Sequence, residues 1–354
     1  MSQYFSSKYK TLLPYTPGEQ PKERQYIKLN TNESPFPPSQ KALERAGEAA
    51  KNLQLYSDPE CRPLCDALAK TYGVDRDEVL PTNGSDEVLN FAFMAFCDDD
   101  HPALFADITY GFYSVFAELN RVPYEIIPLR EDFSISVDDY IGKPGTVFIA
   151  NPNAPTGIAL PVSEIERLLQ SDTSRVVVVD EAYVDFGAES CVPLIKKYPN
   201  LLVTQTFSKS RSMAGARLGF GIACRELIAD LNTVKYSTNP YNVNSMTMAA
   251  GVGMLEDEDY TRRNCTEIIQ NRTSTATALR SLGFEMTDSR ANFLFAKHPR
   301  ISGKELYTAL RARGVLVRHF EKPRISPYNR ITVGSREQME ILIQTIQAIL
   351  EERA

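Results

Sequence analysis

The chain has 354 residues, 43% of them hydrophobic and 24% charged, with a formal net charge of −6. That length supports two or three domains with an ample core, and the interspersed charges form no basic stripe able to follow nucleic acid. No apolar run is long enough to cross a bilayer and the first ten residues lack the apolar stretch of a signal peptide, so the expected location is the cytoplasm, with no membrane partner.

Residues 14–38, rich in Pro, Gly and polar side chains, read as an extended arm around one short strand at 26–30. Helical patterns follow at 40–52, 63–72, 85–96, 111–119 and 162–170. They alternate with short apolar runs at 103–106, 124–128, 147–150, 176–179, 201–206 and 219–223. Such alternation predicts an α/β architecture with a largely parallel sheet covered on both faces. The character changes after about residue 255, where the acidic cluster 256–259 opens a long polar helix, 260–281. Strands are expected at 284–286, 292–296, 315–318 and 330–333, with helices at 303–313 and 336–352. The predicted organisation is an arm, 1–35, packing with the small domain; a large domain, 36–255; and a smaller α+β domain, 256–354.

The chemistry has few histidines to draw on. His101, His298 and His319 lie far apart in sequence, which leaves little material for a His-based metal centre or a Ser-His-Asp triad. Of the six cysteines, Cys61 and Cys65 are four apart, but no second pair or nearby His completes a zinc site, so no metal is expected.

Four segments carry candidate chemistry. Thr206-Phe-Ser-Lys-Ser-Arg-Ser-Met-Ala-Gly-Ala-Arg217 follows a strand and sets Lys209 among hydroxyls. A lysine made nucleophilic by burial and neighbouring positive charge can be trapped by a carbonyl cofactor as an imine. Thr206, Ser208 and Arg217 suit a phosphate beside it; a loop with one solvated lysine reads equally well from this segment alone. Val176-Val-Val-Val-Asp180-Glu-Ala-Tyr183 ends a buried strand in a carboxylate, at the sheet edge where ligands bind. Asp180 there can pair with a pyridinium nitrogen, and Tyr183 can donate to a ring oxygen. A magnesium-nucleotide site is the alternative, but its G-x-x-x-x-G-K-[ST] loop is absent.

Asn83-Gly84-Ser85-Asp86 precedes an apolar helix, so its free N–H groups attract phosphate, although such a segment is equally an ordinary cap. Tyr110 can stack on a planar ring or simply pack. The loop Asn151-Pro-Asn-Ala-Pro-Thr-Gly157 follows a strand and can aim an amide into the crevice. Arg318 and Arg330, on C-terminal strands, can clamp a carboxylate or phosphate, or sit on the surface.

In order and spacing, these segments resemble one family. Pro14-Tyr15, Leu29-Asn-Thr-Asn-Glu33, Tyr56, Asn83 to Asp86, Thr109-Tyr-Gly111, Asn151 to Gly157, Asp180 to Tyr183, Ser208-Lys209, Arg217 and Arg330-Ile-Thr-Val-Gly334 run nearly end to end. Together they are similar to the histidinol-phosphate aminotransferases among the fold-type I pyridoxal-phosphate (PLP) enzymes. The resemblance implies a large domain with a mainly parallel seven-stranded sheet, a smaller α+β domain, and PLP held covalently on Lys209. It implies that Lys209 shuttles a proton, Asp180 pairs with the pyridine nitrogen, Tyr183 bonds the ring hydroxyl and Tyr110 stacks on the ring. Gly84, Ser85, Thr206, Ser208 and Arg217 would hold the phosphate, with Asp86 and Asn153 also among the cofactor contacts. Tyr56 would reach the phosphate of a neighbouring subunit in a homodimer. Tyr15, Asn32, Arg318 and Arg330 would handle the substrate's phosphate or carboxylate.

The chain departs from the family where an asparagine usually precedes Pro-Thr-Gly; here that residue is Ala154. Either Asn153 takes over, or Tyr183 and water serve alone. The implied reaction is L-histidinol phosphate plus 2-oxoglutarate giving imidazole-acetol phosphate and L-glutamate. An aminotransferase for aromatic or other amino acids, or a decarboxylase of the threonine-phosphate type, shares the cofactor. A PLP-sensing regulator would need a DNA-binding domain for which the short arm has no room.

Overall fold

The computed structural model describes residues 2–353. In chain order its elements begin with β1 (Ile27–Lys28), α1 (Gln40–Ala50), α2 (Arg62–Tyr72), β2 (Val79–Thr82), α3 (Ser85–Phe96), β3 (Ala103–Ala106), α4 (Phe112–Asn120) and β4 (Tyr124–Ile127). There follow β5 (Thr146–Ala150), α5 (Val162–Ser171), β6 (Val177–Asp180), β7 (Leu201–Thr206), β8 (Gly219–Ala223), α6 (Arg225–Thr238) and α7 (Ser245–Leu255). The remainder is α8 (Glu258–Ser281), β9 (Glu285–Met286), β10 (Phe293–Lys297), α9 (Gly303–Ala312), β11 (Val315–Leu316), β12 (Arg318–His319), β13 (Tyr328–Thr332) and α10 (Arg336–Glu351).

Seven strands form one sheet in the order β2-β8-β7-β6-β5-β3-β4, and β8 alone runs against its neighbours. Strand alternation divides its side chains between two cores. Val147, Ile149, Val177, Val179, Leu201 and Val203 face one core with residues of α2, α5 and α7. Phe148, Ala150, Val178 and Leu202 face the other with α3, α4 and α6. Continuous apolar strands such as 177–179 are therefore the mark of burial on both faces. Because β3, β5, β6 and β7 are parallel, the loops after Ala106, Ala150, Asp180 and Thr206 emerge along one edge, which is where such sheets bind ligands.

The C-terminal region has its own antiparallel sheet, β12-β13-β10-β9, packed by α8, α9 and α10 around Leu279, Leu294, Leu306, Ile331, Leu342 and Ile346. Capping boxes at Ser302 with Glu305 and Ser335 with Gln338 fix the starts of α9 and α10. The arm belongs to this region: β1 pairs in parallel with β11, and Leu29 also accepts from the amide of Thr332. An apolar seam of Ala106, Ile108, Leu129 and Phe133 against Phe295 and Ile325 joins the two regions. Among the described residues no helix is long and apolar enough to cross a membrane.

The structure departs from the sequence reading in three places. The run 315–318 is split: Val315–Leu316 pairs with the arm, whereas Arg318–His319 pairs with β13, so the chain changes sheets at Val317. Strand β2 was not expected; it is a short edge strand containing Pro81, which the missing N–H of proline permits at an edge. Helices α6 and α7 were also unforeseen. Helix α7 is buried on most of its surface, so it lacks the one-sided stripe that marks a surface helix.

Candidate functional site

The predicted chemistry converges on the strand-end edge of the large sheet. Register explains how the phosphate end is assembled: Gly219 lies opposite both Thr82 and Thr206. This brings the turn after β2 beside the turn after β7. A Cβ on Gly219 would sit 2.2 Å from the Ser85 amide nitrogen, so the first turn of α3 can approach only because that residue is glycine. Gly84 has φ +80°, and a Cβ there would meet the Arg217 guanidinium at 2.7 Å. With Gly84 at the N-cap, α3 starts without a side-chain cap, leaving its first amides to an anion. Ser85, Thr206, Ser208 and Arg217 line the same cavity, of about 390 Å³.

Asp180 is the last residue of β6, opposite Ala150 and Thr204. Burial pushes its carboxyl up to about 6, against hydrogen bonds from Tyr113 (3.1 Å), the Ala182 amide (3.3 Å) and Thr204 (3.4 Å). It has no cationic partner among the described residues, so it is a carboxylate prepared for a buried cation. Lys209 projects into the same cavity. Its Nζ lies 3.3 Å from the Thr31 carbonyl and 5.9 Å from the centre of the Tyr183 ring.

A second cavity of about 330 Å³ adjoins the first, and Thr31, Tyr110, Ala154, Tyr183 and Lys209 line both. Its walls come from the arm and the C-terminal sheet. Arg318 donates to the carbonyls of Thr16 and Pro17, while Glu19 binds Arg311 (3.0 Å) and Tyr307, so the arm is tied down as a roof. Tyr15, in that roof, stacks on Phe112 with centroids 4.1 Å apart. Arg330 lies opposite. It donates to the Asn30 carbonyl at 3.0 Å, its Nε has no partner, and it pairs with no carboxylate among the described residues. Burial holds this guanidinium below its ordinary value. An unpaired, half-buried cation at the wall of a cavity is a receptor for an anion.

One expected contact turns out differently. The Asn153 amide is not in the cleft: its oxygen accepts from Thr109 (2.8 Å), and its nitrogen donates to the Ile108 carbonyl (2.9 Å) and Thr156 (3.1 Å). Ala154 lines the cleft in its place. Asp86 lines the cavity but serves its neighbours, accepting from Tyr110 (2.7 Å) and Arg217 (3.2 Å); a carboxylate repels phosphate, so it orients those two groups. Tyr56 is 84% exposed, stacks on Tyr241 at 4.6 Å, and lines neither cavity. Tyr110 does line both, with its ring edge-on to Tyr113, and burial followed by Asp86 raises its hydroxyl well above the ordinary value. Asn32 also lies at the second cavity, where it donates to the Tyr183 hydroxyl at 2.9 Å.

The sequence reading missed Tyr113 and Thr204 as partners of Asp180. Two signals were available: Tyr113 follows Tyr110 by one helical turn, and Thr204 shares a strand face with Thr206. Neither signal says what the residue touches, because that depends on strand register.

One cavity thus offers a phosphate cradle, a cation-seeking carboxyl and a primary amine together. That donor set fits a phosphorylated pyridine aldehyde. Such an α/β fold with its lysine at the sheet edge defines a fold-type I aminotransferase, and the family model for aminotransferase class I and II matches residues 24–346: the chain belongs to that family. A histidinol-phosphate aminotransferase of Clostridium botulinum strain Hall is 45% identical over 351 residues, 99% of each chain. The histidinol-phosphate aminotransferase 1 of Bradyrhizobium diazoefficiens is 49% identical over 350 residues, covering 99% of this chain and all of its own. The fold is also that of the Sinorhizobium meliloti histidinol-phosphate aminotransferase, solved in complex with pyridoxal-5'-phosphate: TM-score 0.91 at 20% identity, covering 100% of this chain and 99% of that one.

Proposed function

We propose that this aminotransferase carries PLP on Lys209 and transfers the amino group between L-histidinol phosphate and 2-oxoglutarate, yielding imidazole-acetol phosphate and L-glutamate. The observation that carries the substrate reading is Arg330, a half-buried guanidinium without a carboxylate partner among the described residues, facing the cavity that Lys209 also lines. The names of the full-length relatives support it. Both substrates present an anion, a phosphate in one and a carboxylate in the other, so one cationic wall can serve both.

Bound in the first cavity, PLP would supply an aldehyde to capture the amine and a protonated ring to draw electrons from the substrate's α-carbon. Arg217, Ser85, Thr206, Ser208 and the first amides of α3 would hold its phosphate. Asp180 keeps the ring nitrogen protonated, because its buried carboxyl is stabilised in the ionised form by that cation. Tyr183 would donate to the ring oxygen, and Tyr110 would cover the ring. Lys209 Nζ would be the base that takes the proton from the substrate's α-carbon. Tyr15, Arg318 and Arg330 orient the substrate's anionic end, and the tied-down arm keeps water from the reacting carbon.

The exposed Tyr56 supports a homodimer in which this ring serves the partner's phosphate site. The domain division at residues 35 and 255 follows the two sheets, and the proposed location is the cytoplasm. The test is visible absorbance of the purified protein, borohydride trapping on Lys209, and assays over a panel of amines with 2-oxoglutarate. Trapping on another lysine would defeat the cofactor reading; carbon dioxide release, or preference for an unphosphorylated aromatic amino acid, would defeat the substrate reading. Sedimentation, together with activity regained on mixing Lys209→Ala with Tyr56→Ala, tests the shared dimer.

A further inference from the structure

On the wall of the cleft formed by the loop after β5, the groups presented are the apolar side chains of Pro152, Ala154 and Pro155, while the Asn153 amide beside them is consumed by Thr109, Thr156 and the Ile108 carbonyl. Hydrogen bonding to a ring oxygen on that side falls to Tyr183, and a phenol has one proton to give. The direction of that proton is set by Asn32. This residue is 1% exposed and held at φ +56°, a left-handed conformation that asparagine tolerates.

The orientation of the Asn32 amide follows from donor and acceptor counts. The Thr332 hydroxyl accepts from the Asn32 backbone N–H at 2.9 Å, and among the described residues Asn32 Oδ1, at 3.0 Å, is the acceptor its proton finds; a flipped amide would leave that buried proton unpaired. The amide nitrogen must then face Tyr183, to whose hydroxyl it donates at 2.9 Å. A hydroxyl that accepts from Asn32 keeps its own proton for the cleft. The Asn32 carbonyl is itself held by Asn292 at 3.0 Å.

We propose that Asn32 is a positioning residue for the transamination: fixed by Thr332, it commits the Tyr183 proton to the ring oxygen of the bound cofactor. The inference rests on the PLP reading of the site. It joins the C-terminal sheet to the cofactor's electronics, since Thr332 lies two residues along β13 from Arg330. The charged and titratable groups facing Tyr183 are Lys209, Arg330 and Tyr15, and the variants below leave all three in place.

The experiment is a pH titration of the visible band of the holoenzyme, whose midpoint reports the proton on the linkage between lysine and cofactor. A hydrogen bond to the ring oxygen favours the more negative, unprotonated form, so weakening it raises the midpoint. Asn32→Ala is expected to raise it by roughly half to one pH unit, the shift carried by one hydrogen bond of ordinary net strength. Asn32→Asp should raise it further, because a carboxylate accepts the Tyr183 proton. Thr332→Val should move it less, in the same direction. Adding Ala154→Asn to Asn32→Ala puts an amide on the same wall and should bring the midpoint back down. A midpoint equal to the parent's in both Asn32→Ala and Thr332→Val would overturn the proposal. Should Asn32→Ala fail to fold, Thr332→Val and the single Ala154→Asn variant, expected to lower the midpoint, decide it. Absence of any Lys209-linked band in the unaltered protein would instead defeat the PLP reading, so the two failures are distinguishable.

Discussion

The two ends of the cleft are built in opposite ways. The phosphate end is made from two turns, 83–86 and 206–217, set side by side by the register of adjacent strands in one sheet. The anion-binding end takes Tyr15 from the arm and Arg318 and Arg330 from the C-terminal sheet, and it closes only because the arm pairs with β11 and is tied to Arg318 and Arg311. The first end lies within one sheet. The second depends on contacts spanning about 300 positions of sequence, such as Arg318 to Pro17 and Arg330 to Asn30. A cofactor that stays bound suits the former, and two substrates of different shape suit the latter.

Perturbing each end separately tests this contrast. The largest effect is expected from Lys209→Ala, which should abolish turnover and borohydride labelling yet retain non-covalent PLP through the phosphate cradle, as measured by dialysis and absorbance. Next is Arg330→Met. Charge-assisted hydrogen bonds are worth about 1.5–3 kcal/mol each, so losing a two-bond clamp should lower kcat/KM roughly 10²- to 10⁴-fold for both substrates. Cofactor affinity should change little; a comparable loss of PLP binding would mean the two ends are not separable.

A third effect concerns the protein without cofactor. Burial raises Asp180 to about 6 and Glu181 to about 7. A carboxyl raised in the folded state contributes stability that is present below its ordinary value and lost as pH rises through the folded value. The melting temperature of the cofactor-free protein should therefore fall as pH climbs from the usual carboxylate range through about 6 and 7. PLP should remove the Asp180 share of this fall by supplying a cation, and Asp180→Asn should remove the same share without it. The smallest effect is expected from Asn153→Ala, which deletes buried hydrogen bonds remote from the chemistry. It should cost about 1–3 kcal/mol of stability in denaturant titration.

The contrast also explains what could be read in advance. Lys209, Asp180 and Arg217 were legible because strand-end motifs stay contiguous in the chain and parallel strands deliver their ends to one edge. The role of the Asp86 side chain was not legible from its motif, because its partners, Tyr110 and Arg217, lie 24 and 131 residues away. Asn153 failed for a related reason: two adjacent residues point to opposite sides of a tight loop, and sequence cannot say which side is the cleft.

By itself, then, the sequence determined the α/β alternation, the amine and the carboxylate at strand ends, and the family, all of which follow from local pattern and motif order. Tertiary structure decided the split of 315–319 between two sheets, the arm as a roof, the half-buried Arg330 without a counter-charge, and the Thr332–Asn32–Tyr183 chain. Each of these depends on which distant groups meet in a desolvated place, where an unpaired charge or a single hydroxyl proton has consequences it would not have in water.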